Sequence, residues 1–239
     1  MLLLRRVAVL TVACSAVGTA AAAQSKQRSW DELAANYDAK LEPEERRMGL
    51  RKLRQELFDA GVRGDVLEVG AGSGRNVAFV QPLLETGAIK SVVFVDSSTQ
   101  MVAELNRKLL TSPELQARAT SRVCDATELP FHDASFDSVL STFTLCSVEL
   151  PLSELHQAAR VLKRNGRIFM LEHGRSTWCL PLNWYVDAMA DTHERNWGCR
   201  FNRDIEKLVA DVLREEQLEL ERYETRHFGT THMIVLKKT

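Results

Sequence analysis

Residues 67–76 read LEVGAGSGRN, and their types point to a ligand site before anything else in the chain does. Gly70, Gly72 and Gly74 follow a strand-forming run, DVLEV. Glycines let a backbone turn tightly and approach a ligand without Cβ clashes. In a doubly wound sheet the first strand–helix turn lies at the carboxyl edge, where ligands dock. A dinucleotide fingerprint, GxGxxG, would need its third glycine at position 75, which is Arg75. Glu68 stands two places before the first glycine. A carboxylate there suits a cationic amino group rather than a pyrophosphate. Asp96 closes the run SVVFVD, 22 residues after Gly74, and a carboxylate at that place can accept both hydroxyls of a ribose. Asp125 and Ala126 follow a further short run, where a side-chain acceptor can take an adenine amino group. Amino acid, ribose and adenine in one groove, with no phosphate, describe S-adenosylmethionine.

The elements that must position these residues alternate regularly. From Ser29 to Ala60 the chain reads as helical and charged, with Ser29 and Glu32 forming a capping box. Pro43 is expected to start a second helix, on which Leu50, Leu53, Leu57 and Phe58 share a face. Strands are expected at 65–69, 91–96, 121–124, 136–141 and 167–172, with helices at 76–84, 98–110 and 153–162 between them. Asn165–Gly166 reads as the turn into the 167–172 strand. Near-continuous apolar strands joined by helices imply a parallel sheet covered on both faces. The end breaks this rhythm. After a helix over about 203–216, strands at 218–227 and 231–238 are joined by too little chain for a crossover, so they must pair antiparallel.

With those motifs in view, the segment from Trp30 to Lys238 resembles a class I S-adenosylmethionine-dependent methyltransferase with a type 11 methyltransferase domain. The likeness rests on VLEVGAGSG, FVDSS, CDATELPFHDASFDSVLSTFTLCSV and RVLKRNGRIFMLEHG. It implies a Rossmann-like, doubly wound α/β fold with a seven-stranded sheet, mostly parallel with one antiparallel C-terminal strand. By the family pattern Glu68, Gly70 and Gly72 would line the methionine part, Asp96 the ribose, and Asp125 and Ala126 the adenine. Ala71, Gly74, Asn76 and Ser97 are further expected cofactor-binding residues. Thr142 and Phe143 would sit beside the sulfonium, and Tyr37 in ANYDAK would close over the cofactor. A narrower likeness, carried by the leader, LCSV, MLEHGRS and GCRFNRDI, is to membrane-associated methyltransferase-like proteins with a mitochondrial branch.

A sulfonium methyl is already activated, so the protein's main task is to hold an acceptor in line with it. Acceptor-side candidates lie at 172–204, which holds Trp178, Trp184 and Trp197 with Tyr185 and Phe201. An aromatic, partly helical lid there fits a flat, apolar or membrane-surface acceptor. Glu172 and His173 are expected at a strand's carboxyl end, aimed at the pocket. His173 is the first choice for a base or orienting group, ahead of His193 and Glu194. Asn202 and Asp204 read as the N-cap region of the last helix, and Cys146 and Cys199 as packing residues. The six histidines lack ligand spacing and the five cysteines include no CxxC pair, so no metal is expected.

The 239 residues, 45% apolar and 26% charged, suit one soluble domain with a leader, and the net charge of −1 does not indicate a nucleic-acid binder. Residues 1–28 contain no acid; Arg5 and Arg6 precede an apolar stretch over 7–23. A secretory signal, a mitochondrial presequence and a single membrane anchor compete for this pattern. The reading adopted is a mitochondrial address that also anchors the chain at a membrane, with the endoplasmic reticulum as the alternative. Residues 29–239 form the domain. Its expected activity is methyl transfer to a small-molecule or lipid-like acceptor. The alternatives are methylation of RNA or protein, or a non-catalytic scaffold that keeps the fold.

Overall fold

The computed structural model describes residues 30–239. The apolar stretch at 7–23, the leader boundary at 28 and the cap at Ser29 lie outside these residues. Among the described residues no helix is long and apolar enough to cross a membrane. Helices α1 (Tyr37–Met48) and α2 (Leu50–Asp59) lead into β1 (Gly64–Val69). Then come α3 (Val77–Glu85), β2 (Ile89–Asp96), α4 (Thr99–Leu109), α5 (Pro113–Arg118), β3 (Ala119–Val123) and β4 (Phe136–Thr142). The chain closes with α6 (Pro151–Val161), β5 (Leu162–His173), α7 (Leu180–Trp197), α8 (Ile205–Glu215), β6 (Leu218–Arg226) and β7 (Thr231–Lys238).

The seven strands run in the order β3-β2-β1-β4-β5-β7-β6. β7 is antiparallel to both its neighbours, and every other pairing is parallel. The strand order reverses between β1 and β4, so the crevice at their carboxyl ends is where this architecture takes ligands.

Side chains of period two divide between two cores. Val66, Phe94, Leu140, Phe169 and Leu171 face one side, under Leu53, Leu57 and Phe58 of α2. Leu67, Val95, Val139, Ile168 and Met170 face the other, under α6 and α8. This alternation decides which polar residues meet. Glu68, Thr142 and His173 continue the first face; Ser141 and Glu172 continue the second.

Several expectations change. Pro43 lies inside α1, and the break falls at Gly49, whose φ of +65° ends that helix before α2. The Asn165–Gly166 turn is a bulge within the long strand β5: Asn165 has φ +60°, and the register with β4 shifts beside it. A short helix, α5, capped by the Ser112 hydroxyl accepting from the Leu115 amide, precedes β3 and was not foreseen. Asp204 does cap α8, accepting from the Lys207 amide, whereas Asn202 donates to Asp187 instead.

Glu172 does not reach the pocket; it is fully buried on the second face with Glu154. The Ser141 hydroxyl oxygen lies 3.0 Å from Oε1 of each carboxyl. One hydroxyl carries one proton, so it donates to one carboxyl and accepts from the other, which must then be protonated. Burial pushes Glu154 up to about 8 and, joined by the nearby Cys146 and Glu154 charges, raises Glu172 well above the usual carboxylate range. A raised carboxyl favours the folded state while protonated, so its contribution is present below the unfolded value near 4.3 and declines as pH rises towards 8. Melting followed by circular dichroism is therefore expected to show stability falling from pH 5 to pH 8. Glu154→Gln is expected to recover on the order of 1–3 kcal/mol at pH 8 and to change little at pH 5. Equal pH slopes for the two proteins would contradict this.

Candidate cofactor and acceptor site

The glycine turn leaves β1 at Val69. The Ala71 amide donates to the Val95 carbonyl at 2.9 Å, which ties the turn to β2. Gly70 has φ +62°, and a Cβ there would lie 2.1 Å from the Thr144 side chain, so the turn packs against the loop after β4. Gly72 differs: its φ is +55°, but a Cβ would meet no atom within 4 Å, because it faces a cavity. That cavity measures about 990 Å³ and runs over the carboxyl ends of β1, β2 and β4. Tyr37, Glu68, Gly70, Ala71, Gly72, Asp96, Ser97, Asp125, Ala126, Thr142, Phe143 and His173 all line it.

Gly74 and Asn76 do not line the cavity. A Cβ on Gly74 would meet Leu105 at 2.6 Å, so this glycine lets α4 pack closely. Asn76 is fully buried and works beneath the site, donating from Nδ2 to Glu68 Oε1 and to Thr142 Oγ1, each at 3.0 Å. Both residues support the turn from outside the cavity lining.

Glu68 is 1% exposed, and its Oε2 has no hydrogen-bond partner. Burial pushes its carboxyl up to about 8, against the pull of the nearby Arg54 charge. A buried carboxylate oxygen with nothing to accept from is the partner an α-ammonium group needs. Asp96 accepts from the Gly72 amide at 2.8 Å and the Ser98 amide at 2.9 Å, one on each oxygen. Burial raises its carboxyl above the usual range, partly offset by those two donors. Each oxygen keeps a second lone pair for a sugar hydroxyl. Asp125 Oδ1 accepts from both the amide and the hydroxyl of Thr127, at 2.8 Å each. Ala126, 8% exposed, offers the apolar wall beside it.

The N-terminal segment covers this end of the cavity. Ser98 donates to Asp31 at 2.5 Å and Ser73 to Asp38 at 2.6 Å. Arg75 pairs with Glu42 at 2.9 Å and with Glu45 of the same helix. Where a dinucleotide motif has its third glycine, Arg75 thus fastens α1 over the turn. Trp30 and Tyr37, 5.9 Å apart edge to face, sit on the cavity side of this cover. Burial raises the Tyr37 hydroxyl above its usual range.

Sequence reading missed Arg54. It is buried, donates to Asn76 at 2.7 Å, Thr142 at 3.0 Å and Glu45 at 3.0 Å, and lies 5.2 Å from the Phe143 ring centre. Nothing in its helical neighbourhood marks it as functional, since only the fold brings Asn76 and Thr142 to it.

The acceptor end is lined by Leu41, Met48, Phe143, Val148, Leu150 and Trp197. The expected aromatic lid is mostly turned away. Trp178, Trp184 and Tyr185 are 63%, 73% and 60% exposed, and of the segment's aromatics only Trp197 lines the cavity. His193 also lines it, tilted against Phe201 with centroids 4.3 Å apart, while Glu194 pairs with Arg200 at 2.6 Å. His173 packs tilted against Phe143, with centroids 4.3 Å and ring planes 39° apart.

Beside His173 the fold gathers two cysteines. Donor atoms of Cys146, His173 and Cys199 lie within 4.8 Å of one another. Hydrogen bonds from Cys199 and then from His173 hold the Cys146 thiol well below its ordinary range. The spacing argument against a metal could not register this group, because its members come from three separated segments.

A glycine turn, a buried acid before it and an acid closing the second strand, all on a seven-stranded sheet with one reversed strand, define a nucleoside-binding α/β protein. The family model for a methyltransferase domain matches residues 67–170. Over these residues the chain carries a methyltransferase domain, and its sheet matches the fold of S-adenosylmethionine-dependent methyltransferases. It is similar to the mitochondrial methyltransferase OMS1 of Saccharomyces cerevisiae, 32% identical over 223 residues, covering 87% of this chain and 45% of that one. It is also similar to a demethylmenaquinone methyltransferase of Beutenbergia cavernae, 36% identical over 153 residues, covering 62% and 58%. The chain thus spans about half the length of the curated relatives it matches. Among solved structures, an S-adenosylmethionine-dependent methyltransferase of Thermotoga maritima superposes with a TM-score of 0.65 at 19% identity, covering 90% of this chain and all of that one. Geranyl diphosphate C-methyltransferase of Streptomyces coelicolor gives 0.63 at 14% identity, covering 85% and 84%.

Proposed function

We propose that this chain transfers a methyl group from S-adenosylmethionine to a small lipophilic acceptor held at the apolar end of the cavity. The observation that carries the reading is the continuity of one cavity, from the orphaned Glu68 oxygen and Asp96 to the apolar wall of Met48, Phe143, Val148 and Trp197. When bound, the cofactor supplies a methyl already activated by its sulfonium. Glu68 accepts from its ammonium, Asp96 from the ribose hydroxyls, and Asp125 from the adenine amino group. Tyr37 at the start of α1 and Trp30 in the segment before it keep water from the reacting atoms. His173, at the end of β5, lines the cavity beside Phe143 and orients the acceptor there. The similarity to a demethylmenaquinone methyltransferase and to a C-methyltransferase of ubiquinone/menaquinone biosynthesis supports a quinone-like acceptor class.

The outward face of α7 and its approaches supports action at a membrane surface. Trp178, Trp184, Tyr185 and Phe228 expose large aromatic area, the composition of an interfacial belt. A mitochondrial location is the companion proposal, supported by the similarity to OMS1 and by the arginine-bearing, acid-free leader. The test is incubation of the full chain with tritium-methyl S-adenosylmethionine and a mitochondrial extract, followed by solvent partition. Label in the organic phase is expected; label confined to RNA or protein would overturn the acceptor class. Asp96→Ala is expected to weaken cofactor binding by about 1–3 kcal/mol, from hydrogen bonds to a charged acceptor. Unchanged affinity by titration calorimetry would remove the ribose assignment.

A further inference from the structure

The gathering of Cys146, His173 and Cys199 at the acceptor end has no part in holding the cofactor. All three line the cavity, and their donor atoms lie within 4.8 Å of one another. Cys146 and Cys199 are 1% and 7% exposed. They come from three elements: the loop after β4, the end of β5, and the segment after α7. The main chain fixes that convergence. The Arg200 amide donates to the Cys146 carbonyl at 2.7 Å, and the Phe143 amide to the Leu171 carbonyl at 2.8 Å. The His193 ring meets the Cys199 carbonyl at 2.9 Å.

We propose that Cys146, His173 and Cys199 bind a soft divalent metal ion, zinc by the chemistry of the donors, with a fourth position open to the acceptor. Two thiolates and one imidazole are the donor set of one kind of catalytic zinc site, which keeps one position for water or substrate. Sulfur donors select zinc over magnesium or calcium. Tetrahedral bonds of about 2.3 Å to sulfur and 2.0–2.1 Å to nitrogen place such donors about 3.5–3.8 Å apart, so the group needs only a small contraction. Two thiolates offset the ion's charge, which lets it sit among Phe143, Val148 and Trp197 without leaving a net charge buried. Binding sends up to two thiol protons to solvent.

The site deepens the proposed methyl transfer and rests on it for its purpose. An acceptor O–H or S–H that binds at the fourth position loses its proton to solvent, because the ion lowers its pKa. The resulting anion keeps its lone pair and forms the new bond to the methyl carbon, while the C–S electron pair stays on sulfur. His173 is then a ligand and carries no proton in the reaction.

Cobalt(II) is the probe. Full-chain protein, stripped with a chelator and kept under a phosphine reductant, is titrated anaerobically with cobalt chloride. The expected result is saturation at one equivalent, with thiolate-to-cobalt charge-transfer absorption, visible bands of tetrahedral intensity, and displacement by zinc. Cys146→Ser and Cys199→Ser should each remove about half of the charge-transfer intensity, one thiolate of two. Each should weaken binding by more than about 100-fold, beyond what loss of a neighbouring hydrogen bond costs. Weak octahedral bands without charge transfer in the wild-type protein would overturn the proposal, and so would a Cys146–Cys199 disulfide that persists under the reductant. Calorimetry with S-adenosylmethionine on the same samples separates the two readings. Cofactor binding without cobalt binding rejects the metal alone, whereas absence of cofactor binding rejects the methyltransferase reading itself.

Discussion

Glu68→Gln is expected to lower affinity for S-adenosylmethionine by about 1.5–3 kcal/mol at pH 7.5, about 10- to 150-fold, and to leave the melting temperature unchanged or raised. The fold buries Glu68 at 1% exposure and leaves Oε2 without a donor. Glutamine keeps the carbonyl oxygen that Asn76 Nδ2 bonds and, like the protonated carboxyl of the free protein, carries no charge, so stability should not suffer. Burial holds the carboxyl at about 8 in the absence of ligand, so at neutral pH it is mostly protonated. A bound ammonium favours the ionised form, and binding then releases a proton. Wild-type affinity should therefore rise with pH, by up to about tenfold per unit between pH 6 and 7.5. The ligand's own amino group loses its proton only above about 7.7–8.0. The glutamine variant should show no such rise. Calorimetry across that range decides it, and parallel profiles would remove the ammonium from Glu68.

Gly72→Val should abolish cofactor binding in a protein that still folds. At Gly72 a Cβ meets no protein atom within 4 Å and projects into the cavity, so its added bulk displaces ligand rather than core. The cost to folding is the positive φ alone, about 1–2 kcal/mol, or about 2–8 °C in melting temperature for a domain of this size. Gly70→Val is the contrast. Its Cβ would lie 2.1 Å from Thr144, which is 5% exposed and cannot yield, so that variant should be recovered poorly or not at all. Equal loss of fold in both, or retained binding in Gly72→Val, would contradict the division of labour between the two glycines.

Much of this site was legible because its parts are local. The glycine turn, the acid two residues before it and the acid ending the second strand are read along the chain, and the strand pattern says they meet at one edge. The antiparallel end followed from the short connection before Thr231. What stayed hidden is long-range. Arg54 meets Asn76 and Thr142 only after α2 packs on the sheet. The outward turn of Trp184 and Tyr185 depends on which face of α7 docks, and a segment rich in aromatics does not say which. Glu172 and His173 are neighbours in sequence, so the pleat had to send them to opposite faces. Treating both as pocket residues ignored that period of two. The Cys146–His173–Cys199 group was invisible to spacing rules because its members are 27 and 26 residues apart along the chain.

The most direct measurement is a crystal structure of the full chain grown with S-adenosylhomocysteine. The ammonium should lie within hydrogen-bond reach of Glu68 Oε2, the ribose hydroxyls on Asp96, and the adenine between Asp125 and Ala126. The ligand's sulfur should then face Phe143 and His173 across the remaining cavity. A nucleoside bound elsewhere, or bound here with its sugar away from Asp96, would contradict the assignment and leave only the layered sheet standing.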